Sequence, residues 1–295
     1  MKKTSMLRKL LKKPGILIVP AAYDCLSARI IEAVGFKAFV MPPSMTDDAQ
    51  FGLPPTGLAT ATEVVNCARY IANSVNIPFI MSGEDVYGGS LAAYRTTQEV
   101  IRSGAAGIFI SDRKHLVLAR APHNLVEVLP RDEYLGKMGA VLEARDKEDK
   151  DFIIVARIDA AATLGDEEVI ARSKACTELG VDVIFPHSIA PELNFGQKDK
   201  KHLEQFYKAM GAPDVMIWCL GPRGSTAKDC EDLGAKLWVP PDSVMSAVKK
   251  TLFDVYREVY ETGSYTASPG ISIMEDSNKS QGLDFWRELE KKYVP

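Results

Sequence analysis

Eight times along the chain a short run of apolar, β-favouring residues gives way to a stretch with helical spacing. The runs are residues 15–20 (GILIVP), 37–41 (KAFVM), 77–82 (IPFIMS), 106–111 (AGIFIS), 151–158 (DFIIVARI), 181–186 (VDVIFP), 214–219 (DVMIWC) and 236–240 (KLWVP). Their apolar stretches lack polar alternation, so each reads as a strand covered on both faces, which is how a parallel strand sits beneath helices. Helical stretches end at Gly35, Gly104, Gly180 and Gly234 just ahead of the next run, the left-handed stop that a helix favours. Eight such units in about 250 residues predict a (β/α)8 TIM-type barrel rather than an open doubly wound sheet. No GxGxxG follows the first run to mark a dinucleotide site.

The barrel is expected over residues 1–263, with residues 264–295 forming a Gly/Ser-rich connector and an extra C-terminal helix. Leu283, Trp286 and Leu289 share a face of that helix. They need an apolar surface to cover them, either the chain's own barrel or a neighbouring subunit. The composition suits a globular protein: 46% hydrophobic, 25% charged, formal net charge −3. Such a charge gives no general surface for nucleic acid. Five cysteines without a CxxC pair read as reduced, intracellular thiols. The N-terminal MKKTSMLRKLLKKPG is basic but has no long apolar core, so neither a signal peptide nor a membrane span is expected, and cytoplasm is the default.

In such a barrel the loops after the strands' C-terminal ends build the active site. They carry Tyr23 and Asp24; Ser44, Thr46, Asp47 and Asp48; Ser82, Glu84, Asp85 and Tyr87; Ser111, Asp112, Arg113, Lys114 and His115; Arg157 and Asp159; His187 and Ser188; and Cys219. An arginine among carboxylates and a histidine suits a small anionic substrate, because guanidinium forks a carboxylate while His or a carboxylate moves protons. No lysine ends a strand, which argues against a Schiff-base aldolase. Asp47-Asp48 read as a turn or helix cap. The long loop 113–128, with its apolar HLVLA, reads as a lid.

The order of these motifs resembles the isocitrate lyase / phosphoenolpyruvate mutase superfamily over nearly the whole chain. VPAAYDCLSARIIEAVGFKAFVM is similar to that family's opening PGAYDALSARL…GF, and FGLPPTG to its LGLPD. EDVYGG resembles its DxDTGYGG, Ser111-Asp112 its Glu-Asp pair, DFIIVARIDA its DFxIxARTDA, and GVDVIFPHS its GADAIFxxS. The resemblance implies a lyase-type enzyme that makes or breaks a C–C or C–P bond next to the enolate of a small 2-oxo acid or carboxylate. It implies Mg²⁺, with Glu84 and Asp112 at the metal positions, and no organic cofactor. Candidate catalytic residues are then Glu84, Asp112, His187, Tyr87 and His123. Candidate substrate contacts are Arg157, Ser44, Ser82, Asp159 and Tyr23. His187 matches a histidine of the phosphonate-handling branch. Family members also exchange their last helices between paired subunits, which implies a homo-oligomer, dimer or tetramer.

Several positions depart from the pattern. The first strand-3 aspartate falls on Ser82, the second on Glu84, the acid after GLP on Pro55 and the strand-4 glutamate on Ser111. No KxCGH lies between Asp112 and Leu129, which disfavours the isocitrate and methylisocitrate lyase reactions and leaves a decarboxylase or a phosphonate-type mutase or hydrolase. The alternatives are a metal-independent acid–base enzyme using Glu84, and a non-catalytic metabolite-binding barrel.

Overall fold

The computed structural model describes residues 1–114, 127–187, 197–212, 214–219, 224–240, 243–264 and 282–294. The strands are β1 (Leu17–Ile18), β2 (Phe39–Met41), β3 (Phe79–Ser82), β4 (Gly107–Ser111), β5 (Ile153–Ile158), β6 (Val183–Pro186), β7 (Ile217–Cys219) and β8 (Ala235–Trp238). All pair in parallel, in the order β1-β8-β7-β6-β5-β4-β3-β2. A bridge between Ala21 and Val40 joins the two ends: Ala22 N donates to Val40 O and Val40 N to Pro20 O, each at 2.9 Å. The predicted (β/α)8 barrel is therefore the observed fold.

Between the strands run α2 (Cys25–Val34), α3 (Pro43–Thr46), α4 (Ala61–Ser74), α5 (Ser90–Ser103), α6 (Arg131–Glu148), α7 (Ala161–Leu164), α8 (Asp166–Leu179), α9 (Gln197–Met210) and α10 (Ala227–Asp232). The chain begins with α1 (Lys3–Lys12) and continues past β8 into α11 (Ser243–Thr262) and α12 (Leu283–Tyr293). Asp24 and Thr60 start α2 and α4 through capping boxes with Ser27 and Glu63, satisfying N–H groups a helix start leaves open.

The unbroken apolar runs follow from two apolar layers. Ile80, Phe109, Val155, Phe185, Trp218 and Leu237 point into the barrel. Their neighbours Phe79, Ile108, Ile154 and Ile184 point outward against the helices. Each such side chain stabilises the fold by about 1.5–3 kcal/mol on burial. Helix α1 plugs one end: Leu7 and Leu11 join the interior layer, and Arg8 donates to Asp182 Oδ1 at 2.9 Å and Phe152 O at 3.2 Å, where β5 and β6 begin. With the N-terminal end sealed, only the C-terminal mouth is left for a site. No helix among the described residues is long and apolar enough to cross a membrane.

Candidate active site

The loop after β3 is held in a conformation its residues would not choose. Glu84, Val86 and Tyr87 have φ of 51°, 59° and 59°, in the left-handed region that costs a non-glycine residue about 1–3 kcal/mol. Val86 is β-branched and buried, the least suited of the three. The surroundings impose the shape. Gly83 N donates to Phe109 O at 2.8 Å, Val86 N to Gly83 O at 2.7 Å, and Ser111 N to Glu84 O at 2.8 Å. Asp85 Oδ1 accepts from Tyr87 N at 2.9 Å, and Lys137 on α6 donates to Asp85 O at 3.0 Å. A Cβ on Gly83 would lie 2.5 Å from Ile108 Cδ1, so any other residue at that corner would have to push the Ile108 side chain aside.

Asp85 thus shapes the loop, and Glu84 is the acid presented. A cavity beside it is lined by Pro43, Asp47, Gly57, Ala59, Val64, Ser82, Glu84 and Tyr87. Burial pushes the Glu84 carboxyl up to about 7, against the opposing pull of the Arg157 and Arg113 charges. The Tyr87 hydroxyl is buried with no hydrogen-bond partner among the described residues.

Across the mouth, Asp159 gathers cations. Its carboxylate, fully buried, accepts from Arg157 Nε at 2.8 Å and Nη2 at 3.0 Å, Arg113 Nη2 at 2.8 Å and Ser111 Oγ at 2.9 Å. His187 Nδ1 lies 3.0 Å from the same carboxylate and 3.1 Å from Arg157 Nη2. The guanidinium and imidazole partners hold Asp159 well below the usual carboxylate range, despite burial. Burial and the Arg157 charge bring His187 down to about 4, so its ring is neutral at pH 7. The imidazole stands edge-on to Phe185, which stacks on Trp218, and these aromatic rings floor the site. Arg157 Nη1 makes no hydrogen bond among the described residues and is the donor left for a ligand.

A cationic cluster facing a buried acid at the C-terminal mouth of a barrel matches what the sequence motifs imply, and the comparison with known proteins agrees. The sequence model of phosphoenolpyruvate phosphomutase matches residues 7–260. The chain belongs to the phosphoenolpyruvate phosphomutase family. It is 30% identical over 293 residues to carboxyvinyl-carboxyphosphonate phosphorylmutase, chloroplastic, of Arabidopsis thaliana, covering 97% of this chain and 83% of that protein. It is 26% identical over 297 residues to 2,3-dimethylmalate lyase of Eubacterium barkeri, covering 100% and 99%. Its fold superimposes on that of phosphonopyruvate hydrolase, solved in complex with oxalate and Mg²⁺, with a TM-score of 0.84 at 23% identity and full coverage of both chains. The phosphoenolpyruvate phosphomutase family is one of enzymes, lyases and mutases among them.

The metal implied by the family does not suit the donors present here. Mg²⁺ wants a near-ideal octahedron of oxygens, usually one or two ionised carboxylates with waters and substrate oxygens completing it. Ser82 Oγ instead accepts from Glu84 N at 3.2 Å. Both oxygens of Asp112 are spoken for, by Asp159 N at 2.8 Å and by Arg172 Nη1 on α8 at 3.2 Å. What is left near the cavity is Glu84 and Asp47, both of which burial biases toward the protonated form. Among the described residues no three His, Cys, Asp or Glu side chains converge as a metal-binding group.

The sequence candidates therefore fall in different places. Glu84, Tyr87 and Ser82 meet at the cavity; Arg157, Asp159 and His187 meet in the cationic cluster. Asp112 is buried behind the cluster, locked to Arg172, Glu168 completing that chain of charges. Tyr23 joins the barrel's interior layer, and Ser44 sits half-buried on α3. His115, His123 and most of the loop read as a lid lie outside the described residues. His202 pairs with Asp166 on the surface. Two residues that the sequence placed on the active-site loops but did not choose as catalytic or binding candidates sit with the others: Arg113 in the cationic cluster, and Asp47, which a π-helical turn over Asp47–Phe51 carries into the cavity wall. Such turns recur at functional sites.

Asp47 supports a stability prediction. Burial, with the Glu63 charge behind it, lifts its carboxyl to about 6. A raised acid disfavours the fold once it ionises: nothing is lost below the unfolded value near pH 4, and the cost grows as pH rises through about 6. Asp47→Asn should melt like the parent chain at pH 4 and be more stable by about 1–3 kcal/mol at pH 8. Thermal melts across that range check it; a difference independent of pH would remove the buried acid as the cause.

Proposed function

We propose that the chain is a lyase-type enzyme that makes or breaks a C–C or C–P bond next to the enolate of a small 2-oxo acid or carboxylate. The observation that carries this reading is the pairing of an acid near neutrality, Glu84, with the Arg157 guanidinium whose charge reaches it. Arg157 would hold the substrate carboxylate through Nη1, fixed in orientation by its double bond to Asp159. An anion held there places the carbon next to its carbonyl within the field of both groups, where negative charge developing as an enolate is stabilised. Glu84 would move the proton, a role suited to a group poised near the working pH. Neutral His187, its Nδ1–H donating to Asp159, would brace the carboxylate that orients Arg157 without adding charge. The relatives named for a mutase and a lyase span the same chemistry at the reacting bond.

The test is turnover of a panel of 2-oxo and 2-hydroxy acids, with and without EDTA. Glu84→Gln should lower kcat about 10²- to 10⁴-fold with little change in KM, because a general acid–base contributes that much. As a base it works ionised, so the parent rate should climb as pH rises through about 7. The residual rate of the variant should be flat across that range. No turnover or binding of any panel member would sink the proposal.

A further inference from the structure

We propose that Arg113 is an anion-binding residue and that, together with Arg157, it supplies the positive charge that Mg²⁺ would otherwise bring to a 2-oxo acid or its enolate, so that this chain works without a divalent metal. The inference rests on the reaction class proposed above, and deepens it.

Arg113 is built into the site rather than lying on its surface. Its backbone N donates to Ser111 Oγ at 3.1 Å, and it pairs across an antiparallel bridge with Val128. Its side chain is only 10% exposed, with Nη2 on Asp159 Oδ1. Nε of the same guanidinium is buried and has no partner among the described residues. A buried N–H left without an acceptor is costly and rare in folded proteins, and one on a charged group more so. An acceptor that arrives with the ligand accounts for it. Guanidinium is also the side chain best shaped to grip a planar carboxylate or enolate with two parallel bonds.

The rest of the mouth is arranged for the same charge. Arg157 and Arg113 share one carboxylate, and His187 adds none, so the described cluster carries a net single positive charge. At two positions where the family pattern has acids, Ser82 and Ser111 stand instead, and their hydroxyls are used internally, on Glu84 N and on Asp159. Losing anionic ligands and placing a second guanidinium beside the first act in one direction: each makes a dication less welcome and an anion more so. A metal ion would enter a field already positive, with the Asp159 and Asp112 carboxylates both bound to arginine. A substrate dianion would enter a field of the opposite sign to its own.

Isothermal titration of the full chain with oxalate, a planar dianion that mimics the enolate, tests this. After EDTA treatment the parent chain should bind oxalate with the same Kd, within about twofold, as in millimolar Mg²⁺. Arg113→Gln should weaken binding about 10- to 100-fold in EDTA, as expected for loss of a charged hydrogen bond, with no rescue by Mg²⁺. Arg113→Lys should fall between, keeping the charge and losing the fork. Melting curves of the variants would show whether they fold, and the comparison of EDTA with Mg²⁺ on the parent chain needs no variant. Binding only when Mg²⁺ is present, undiminished binding by a folded Arg113→Gln, or no binding in either condition would each overturn the inference. Turnover of a 2-oxo acid that requires Mg²⁺ would overturn it while leaving the reaction class intact. Oxalate held tightly in EDTA by a chain that turns over no panel member would do the reverse.

Discussion

Asp159→Asn should destabilise the protein by about 3–5 kcal/mol and abolish measurable turnover. The carboxylate is completely buried and is the shared acceptor of Arg157, Arg113, Ser111 and the His187 contact. Removing the charge leaves two guanidinium groups facing an amide that cannot neutralise either, and breaking a buried pair in this way costs that much. Activity goes with it, because Arg157 owes its orientation to the two bonds it makes to Asp159. The pH dependence has a definite sign. The Asp159 carboxyl is held well below its ordinary value, so its stabilisation is complete above about pH 4 and fades only as pH falls further. The penalty of the variant should therefore be constant from neutrality to about pH 4 and shrink below it. Adding Arg113→Gln should restore part of the loss, since it removes one of the stranded charges. Urea titrations of the parent, both single variants and the double variant measure all of this. A loss under about 1 kcal/mol for Asp159→Asn would mean that the cluster is solvated and not the tight hub described.

That hub marks the boundary of what the sequence discloses. The barrel was legible because burial on both faces leaves unbroken apolar runs, and runs such as IPFIMS and DFIIVARI fall on β3 and β5. Glu84, Arg157 and His187 were legible as strand-end residues, since parallel strands deliver their C-terminal ends to one mouth. Which groups bond to which was not. Arg113 folds back onto an acid 46 positions along the chain, and Asp112 is taken by Arg172, 60 positions along. No spacing rule connects such pairs; the closure of the barrel does. The placement of Asp47 was hidden for another reason. Pro42 and Pro43 punctuate the segment as a loop, yet the chain makes a short helix and a π-helical turn there. A single π turn has no periodic signature in residue type. Nor does a sequence show backbone strain: EDVYGG advertises its glycines, while the left-handed residues are Glu84, Val86 and Tyr87 together with Gly88.

Deleting residues 281–295 should weaken self-association by a factor of about a thousand or more. The chain leaves unusual apolar surface at its C-terminal end. Helix α11 exposes Val244, Val248, Leu252, Tyr256 and Tyr260 in steps of four, with Phe253 and Val259 beside them. Helix α12 buries no residue; Phe285 and Trp286 are 63% and 60% exposed, with Leu289 beside them. The spacing of Leu283, Trp286 and Leu289 predicts one apolar face, and the described chain does not bury it. Contiguous apolar patches of this kind mark interaction surfaces, and the family resemblance implies exchange of this helix between paired subunits. Covering one tryptophan and two leucine-sized side chains contributes on the order of 5 kcal/mol. At about 1.4 kcal/mol per factor of ten, that is between three and four decades in Kd. Sedimentation velocity over a range of concentrations should show the full chain as a dimer or tetramer and the shortened chain dissociating where the full one does not. Circular dichroism should stay that of a folded barrel, because α12 contributes nothing to the core. A full-length chain that sediments as a monomer, or a shortened one that associates as tightly as the parent, would show that the exposed faces of α11 and α12 are not where the subunits meet.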